Sequence, residues 1–120
     1  MSSHRSILLV DDAADALDAM ATLLALDGWR TTCAGSIEGA LQALERQRFA
    51  AVVMEPYLRS GPALAVALAA RRLVDVPLLI ALTWSARAGD HLAYEPTLFD
   101  FNLEKPADFD RLNRLLAMAW

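Results

Sequence analysis

Cysteine is nearly missing: Cys33 is the only one in 120 residues. An internal disulfide and a multi-cysteine metal site are therefore excluded, and a reducing, cytoplasmic setting is the expectation. Lysine is as scarce. Lys105 stands alone among eleven basic residues, the others being arginine. Positive charge is in deficit, with fifteen acids against eleven bases and a net charge of −4. Phosphate binding needs clustered positive charge, so nucleic acid is not an expected partner. Long apolar runs are absent too. The start, MSSHRSILLVDD, places a short apolar run before two aspartates, too little for a signal-peptide core. The alanine-rich stretch at 62–70 falls far short of the roughly 20 residues of a membrane span, so no membrane partner is expected. Histidine is limited to His4 and His91, which match no metal spacing and read as solvated surface. Five glycines and five prolines are too few for a disordered chain in which 56% of residues are apolar.

What is present is a filled core. A mean hydropathy of +0.30 predicts one domain over 1–120, with apolar surface left over for a partner. The pattern alternates along the chain. Residues 7–10 are a short continuous apolar run, as in a strand buried on both faces. Leu17, Met20, Ala21 and Leu24 then fall at helical spacing, closed by Asp27-Gly28. Residues 29–34 read as a second strand, and Ser36 as the cap of a helix with its stripe at Ile37, Ala40, Leu41 and Leu44. Residues 49–54 form a third strand. Ser60-Gly61-Pro62 reads as a helix start, with the helix running to about Leu73 and the Arg71-Arg72 pair at its solvated end. Residues 78–82 form a fourth strand, and 86–95 a weak helix. Phe99, Phe101 and Leu103 alternate with polar residues, as on a half-exposed edge strand. Phe109, Leu112, Leu116 and Ala119 mark a last helix. Cys33 reads as a small buried hydrophobe.

Five strands and five helices in strict alternation predict an α/β doubly wound parallel sheet with helices on both faces. Ligands of such sheets bind beyond the carboxyl ends of the strands. There the sequence places Asp11 and Asp12, then Glu55, then Thr83, Trp84 and Ser85, then Lys105 and Pro106. Three acids, a hydroxyl and an ammonium on one rim suit Mg²⁺, held by hard oxygen ligands, beside a phosphoryl group or another tetrahedral anion.

The stretches ILLVDD, FAAVVME, VPLLIALTWS and LEKPADFDRL, in that order, resemble the receiver domain of two-component response regulators over essentially the whole chain. The resemblance implies the flavodoxin-like strand order 2-1-3-4-5. It implies Mg²⁺ as cofactor, with Asp11, Asp12 and Glu55 at the metal positions. It places Thr83 and Lys105 at the phosphoryl-contact positions, and Thr83 and Asn102 at the switch positions. It implies a cis Lys105-Pro106 bond, and a protein partner on the face built from the helix at 86–95, the last strand and the last helix. That partner is a kinase, an output protein or a second copy.

The departures are as informative. The phosphoacceptor position holds Glu55, and no aspartate occurs between Asp27 and Asp75. A glutamate carboxylate projects roughly 1.5 Å further, where about 1 Å of misplacement can cost 100-fold. The loop after Glu55 is short and stiffened by Pro56. Trp84 replaces a small residue. Asn102 stands where the family has an aromatic switch residue, and Phe101, one position away, points to the opposite face. These departures describe a pseudo-receiver: a non-enzymatic signalling module that acts by protein–protein interaction. The alternative is a working phosphorelay receiver that uses Glu55 or another residue with Mg²⁺. Taken alone, Asp11-Asp12 reads as a helix-capping pair. Glu55 reads as a loop acid, an ion-pair partner of Lys105, or a partial mimic of a phosphoaspartate. Trp84 and Trp120 are either partner anchors or packing residues. A flavin or small-ligand site is disfavoured, because the first loop, DDAAD, is acidic and does not cradle a phosphate.

Overall fold

The computed structural model describes residues 5–83, 96–106 and 108–119. The expectations at His4, Trp84, Ser85, His91, Trp120 and the helix at 86–95 lie outside them. Within them the elements are β1 (Ser6–Val10), α1 (Ala14–Leu26), β2 (Arg30–Ala34), α2 (Ile37–Arg46), β3 (Ala51–Met54), β4 (Tyr57–Leu58), β5 (Gly61–Pro62), α3 (Leu64–Arg71), β6 (Leu78–Thr83), a 3₁₀ turn (Pro96–Leu98), β7 (Phe101–Glu104) and α4 (Phe109–Leu116).

The main sheet has five strands in the order β2-β1-β3-β6-β7, all pairs parallel. This is the expected 2-1-3-4-5 flavodoxin-like order, since β4 and β5 form a separate antiparallel ribbon. β1 is an interior strand, and its apolar run is buried along both faces. Leu8 and Val10 point into the layer under α2 and α3, with Val52, Met54, Leu79 and Ala81. Ile7 and Leu9 point into the layer under α1 and α4, with Val53, Ile80, Leu82 and Leu103. A period of two divides each strand between the layers. No helix among the described residues is long and apolar enough to cross a membrane.

Local chemistry fixes the element ends. Ser36 accepts the Gly39 N–H at 3.0 Å, as its cap reading predicted. The chain turns away from α1 at Gly28, two residues past the helix, where a φ of +86° suits glycine. The Gly28 carbonyl accepts from Arg5 Nε, and the Arg5 guanidinium stacks 4.1 Å from the centre of the Trp29 ring.

Three readings need correction. α3 begins at Leu64, not at Ser60-Gly61-Pro62. Gly61, with φ +129°, and Pro62 instead pair back on Tyr57 and Leu58, and Ala63 N–H goes to the Pro56 carbonyl. The hairpin forms because it buries Leu58 and Ala63 in the α2–α3 layer. Arg71 is not a solvated helix end. Its Nε donates to the Leu98 carbonyl at 2.9 Å and its guanidinium pairs with Asp100 at 3.3 Å, while Arg72 is exposed. Cys33 is exposed, because β2 is an edge strand covered incompletely by α1. Its residual burial, and the nearby Asp18 carboxylate, push the thiol up.

Candidate functional site

The rim residues continue the ladder. Asp11 N–H bonds the Ala34 carbonyl at 3.1 Å, Glu55 N–H the Val10 carbonyl at 2.9 Å, and Lys105 N–H the Thr83 carbonyl at 2.9 Å. Each side chain is therefore launched from a backbone that neighbouring strands hold. Parallel strands end at one level, so Asp11, Glu55, Thr83 and Lys105 meet at the carboxyl edge without being close in sequence.

There they form a network. Lys105 Nζ lies 2.7 Å from Asp11 Oδ2 and 3.1 Å from Glu55 Oε1. The other Glu55 oxygen accepts the Tyr57 N–H at 3.0 Å, and the other Asp11 oxygen accepts the Ala13 N–H at 3.0 Å. Glu55 is only 2% exposed. Taking these charges out of water is costly, and the shared ammonium and the backbone donors offset that cost. Asp12 turns outward and accepts the Arg59 N–H. The short hairpin thus supplies two backbone donors to the acids, one from Tyr57 and one from Arg59. Sequence reasoning missed both, because a backbone N–H leaves no signature in residue type. Burial, and then the Glu55 carboxylate, push the Tyr57 phenol above its ordinary value.

Thr83 is 3% exposed, and among the described residues its hydroxyl has no hydrogen-bond partner. Asn102 pairs with Ala81 in the ladder and is exposed, whereas Phe101 packs into the α1–α4 layer. The Lys105-Pro106 bond is cis.

The residues for Mg²⁺ reach one end of the sheet but do not form a ligand set. Among the described residues no three His, Cys, Asp or Glu groups stand together in a way that could hold a metal ion. Asp11 and Glu55 are gathered around the Lys105 ammonium, and Asp12 is drawn to the hairpin.

No protein-family profile matches the sequence, and no curated protein matches it. Solved structures do. A CheY-like response-regulator receiver domain from Methylobacillus flagellatus superposes with a TM-score of 0.83 at 26% identity, covering 97% of this chain and 98% of that one. The receiver domain of a sensor histidine kinase from Pseudomonas aeruginosa PAO1, with a magnesium ion in its active-site cleft, gives 0.79 at 28% identity, covering 96% of each chain. The response regulator TrrA from Thermotoga maritima, in complex with Mg²⁺ and BeF, gives 0.82 at 22% identity, covering 97% and 99%. The chain has the CheY-like receiver-domain fold.

Proposed function

We propose that this chain is an atypical receiver-type signalling module that acts by binding a protein partner and not by phosphorylation of an aspartate. The observation that carries this reading is the state of Glu55. By the sequence resemblance it stands at the phosphoacceptor position; in the structure it is almost wholly buried, with one oxygen on Lys105 and the other on Tyr57 N–H. An in-line attack needs an acceptor oxygen that can reach phosphorus, and these contacts hold both oxygens inward. The Lys105 ammonium holds together the acids that would otherwise repel each other. Glu55 then imitates only part of a phosphoaspartate, with one charge and two oxygens. The module is read as non-enzymatic and cytoplasmic. Its partner is a kinase, an output protein or a second copy, engaging the face around β7 and α4.

A second reading, a working phosphoacceptor on Glu55 or another residue with Mg²⁺, is favoured by Lys105 and Thr83 at the rim. The test is intact mass after incubation with acetyl phosphate and Mg²⁺, for the native chain and Glu55→Asp. An unchanged native mass with a phosphoryl adduct on Glu55→Asp supports the interaction module. A ready adduct on the native chain overturns it in favour of the second reading.

A further inference from the structure

α2 and α4 turn charge to solvent, Glu38, Glu45 and Arg46 on the one and Asp110, Arg111 and Arg114 on the other. One exposed side of α1 carries none. It presents Ala16, Ala19, Leu23 and Leu26, with Leu23 43% and Leu26 79% exposed. Their spacing of three, four and three residues is the a/d repeat by which a helix packs along a second helix. The stripe that α1 buries in its own core is a different one, centred on Leu17 and Leu24. The exposed seam is uneven. A groove of about 350 Å³ lies beside its first half, where alanine leaves room, walled on the other side by Pro106 and Phe109. Leu26 stands outside the groove, at the far end of the seam.

This shape is complementary to itself. A two-fold axis across the middle of α1 sets Ala16 against Leu26 of a second copy, and Ala19 against Leu23. Each copy then offers the groove that the other's leucines fill, as an isologous interface requires. Charge favours the same antiparallel sense. Asp15 lies in the first turn of α1. Arg5 sits at the other end, donating to the Asp27 and Gly28 carbonyls. The Asp27 carboxylate there is taken up by Asn113 Nδ2 at 2.6 Å. The axis therefore brings Arg5 of one copy to the Asp15 end of the other, and opposes the two helix dipoles. A parallel pairing sets Asp15 beside Asp15 and leucine against leucine. We propose that a second copy of this chain docks antiparallel along α1, Leu23 and Leu26 of each filling the groove of the other. The 13 residues of α1 span about 20 Å, so the footprint falls below the roughly 800 Å² per partner of a stable complex. The pair is weak, with a Kd on the order of 0.1 mM. This inference rests on α1 and not on how Glu55 is read.

The experiment is sedimentation equilibrium of the full chain up to about 1 mM, beside NMR amide shifts followed on dilution. The expected result is a monomer–dimer equilibrium, with dilution shifts gathered on α1 and at Phe109. Leu26→Lys, at a position open to solvent, raises the Kd at least about tenfold, since each substitution counts twice in a symmetric pair. Ala19→Gln fills the groove with a polar side chain and does the same. Val74→Lys, at a residue 98% exposed outside α1, leaves the Kd unchanged. Asp15→Asn separates the two senses of pairing: it weakens the antiparallel pair about threefold and strengthens a parallel one. A chain that stays monomeric to about 1 mM overturns the proposal. So does a dimer indifferent to both Leu26→Lys and Ala19→Gln, or one strengthened by Asp15→Asn. A monomer in which 4-phenylbutanol gives saturable shifts at Ala16 and Phe109 also overturns it, and assigns the groove to a small apolar ligand.

Discussion

Replacing Lys105 by Met removes the ammonium that joins Asp11 to Glu55 and keeps most of the side-chain volume. The charges lie 2.7 Å and 3.1 Å from Nζ, and side-chain exposures of 16%, 13% and 1% for Lys105, Asp11 and Glu55 leave little solvent screening. Breaking a buried pair by deleting one partner costs about 3–5 kcal/mol, because a charge is left uncompensated. Two carboxylates are stranded here, so the upper half of that range is expected. At about 2.1 cal/mol/K of unfolding entropy per residue, a chain of this length loses roughly 4 °C per kcal/mol. Lys105→Met should therefore lower the melting temperature by about 16–20 °C at neutral pH, measured by calorimetry or circular dichroism. The double variant Lys105→Met/Glu55→Gln removes one stranded charge and keeps an acceptor for Tyr57 N–H. It should regain about 1–2 kcal/mol over Lys105→Met alone, a coupling of the size found between contacting residues. A loss below about 1 kcal/mol, the value of a solvated surface pair, with purely additive behaviour in the double variant, refutes the account.

Other perturbations probe separate parts of the site and its frame. Thr83→Val swaps a buried hydroxyl, without a partner among the described residues, for a methyl of the same shape, so it should raise stability by up to about 1 kcal/mol, read as a higher urea midpoint. The Tyr57 phenol is held above its ordinary value, so the fold favours its neutral form. Its contribution is fully present below the unfolded-state value of about 10 and is lost as pH rises through the higher folded value. Tyr57→Phe should flatten that alkaline decline, comparing urea midpoints at pH 9 and pH 11. Arg71→Ala releases the Leu98 carbonyl and Asp100, and should cost about 1–2 kcal/mol while raising hydrogen exchange in 96–100. Gly28→Ala meets both an unfavourable φ of +86° and the Arg5 guanidinium, 2.9 Å from the new Cβ, and should cost about 1–2 kcal/mol in urea unfolding.

The strands were legible because their signal is local. The run at 7–10 is apolar at every position, as in a strand buried on both faces, and β1 is that strand. The edge strand was legible from the alternation of Phe101 and Leu103 with Asn102, but Phe99, read as part of the same stripe, precedes the strand and packs in the α2–α3 layer. What failed was local reading of residues with a distant partner. Ser60-Gly61-Pro62 has the composition of a helix start, yet Pro62 pairs with Tyr57 because Leu58 gains burial when the chain doubles back. Arg71 has the composition of a solvated helix end, yet a carbonyl and a carboxylate across the layer capture it. Cys33 is apolar enough for a core, but strand order puts it on an edge.

Among the described residues, the sequence by itself determined the succession of main-sheet strands and helices, and with it a parallel sheet whose rim carries Asp11, Glu55, Thr83 and Lys105. That follows from periodicity, since a parallel sheet sends every strand's carboxyl end to one edge. Tertiary structure alone decided what those residues do to each other. Lys105 is 94 positions from Asp11 and 50 from Glu55, and only the β1-β3-β6-β7 order brings its ammonium between them. Whether Glu55 faces solvent or turns inward depends on the Tyr57 N–H, a donor that any residue but proline would supply. The fold was written in side-chain pattern, whereas the state of the site rests on backbone donors and distances of about 3 Å that no residue type encodes.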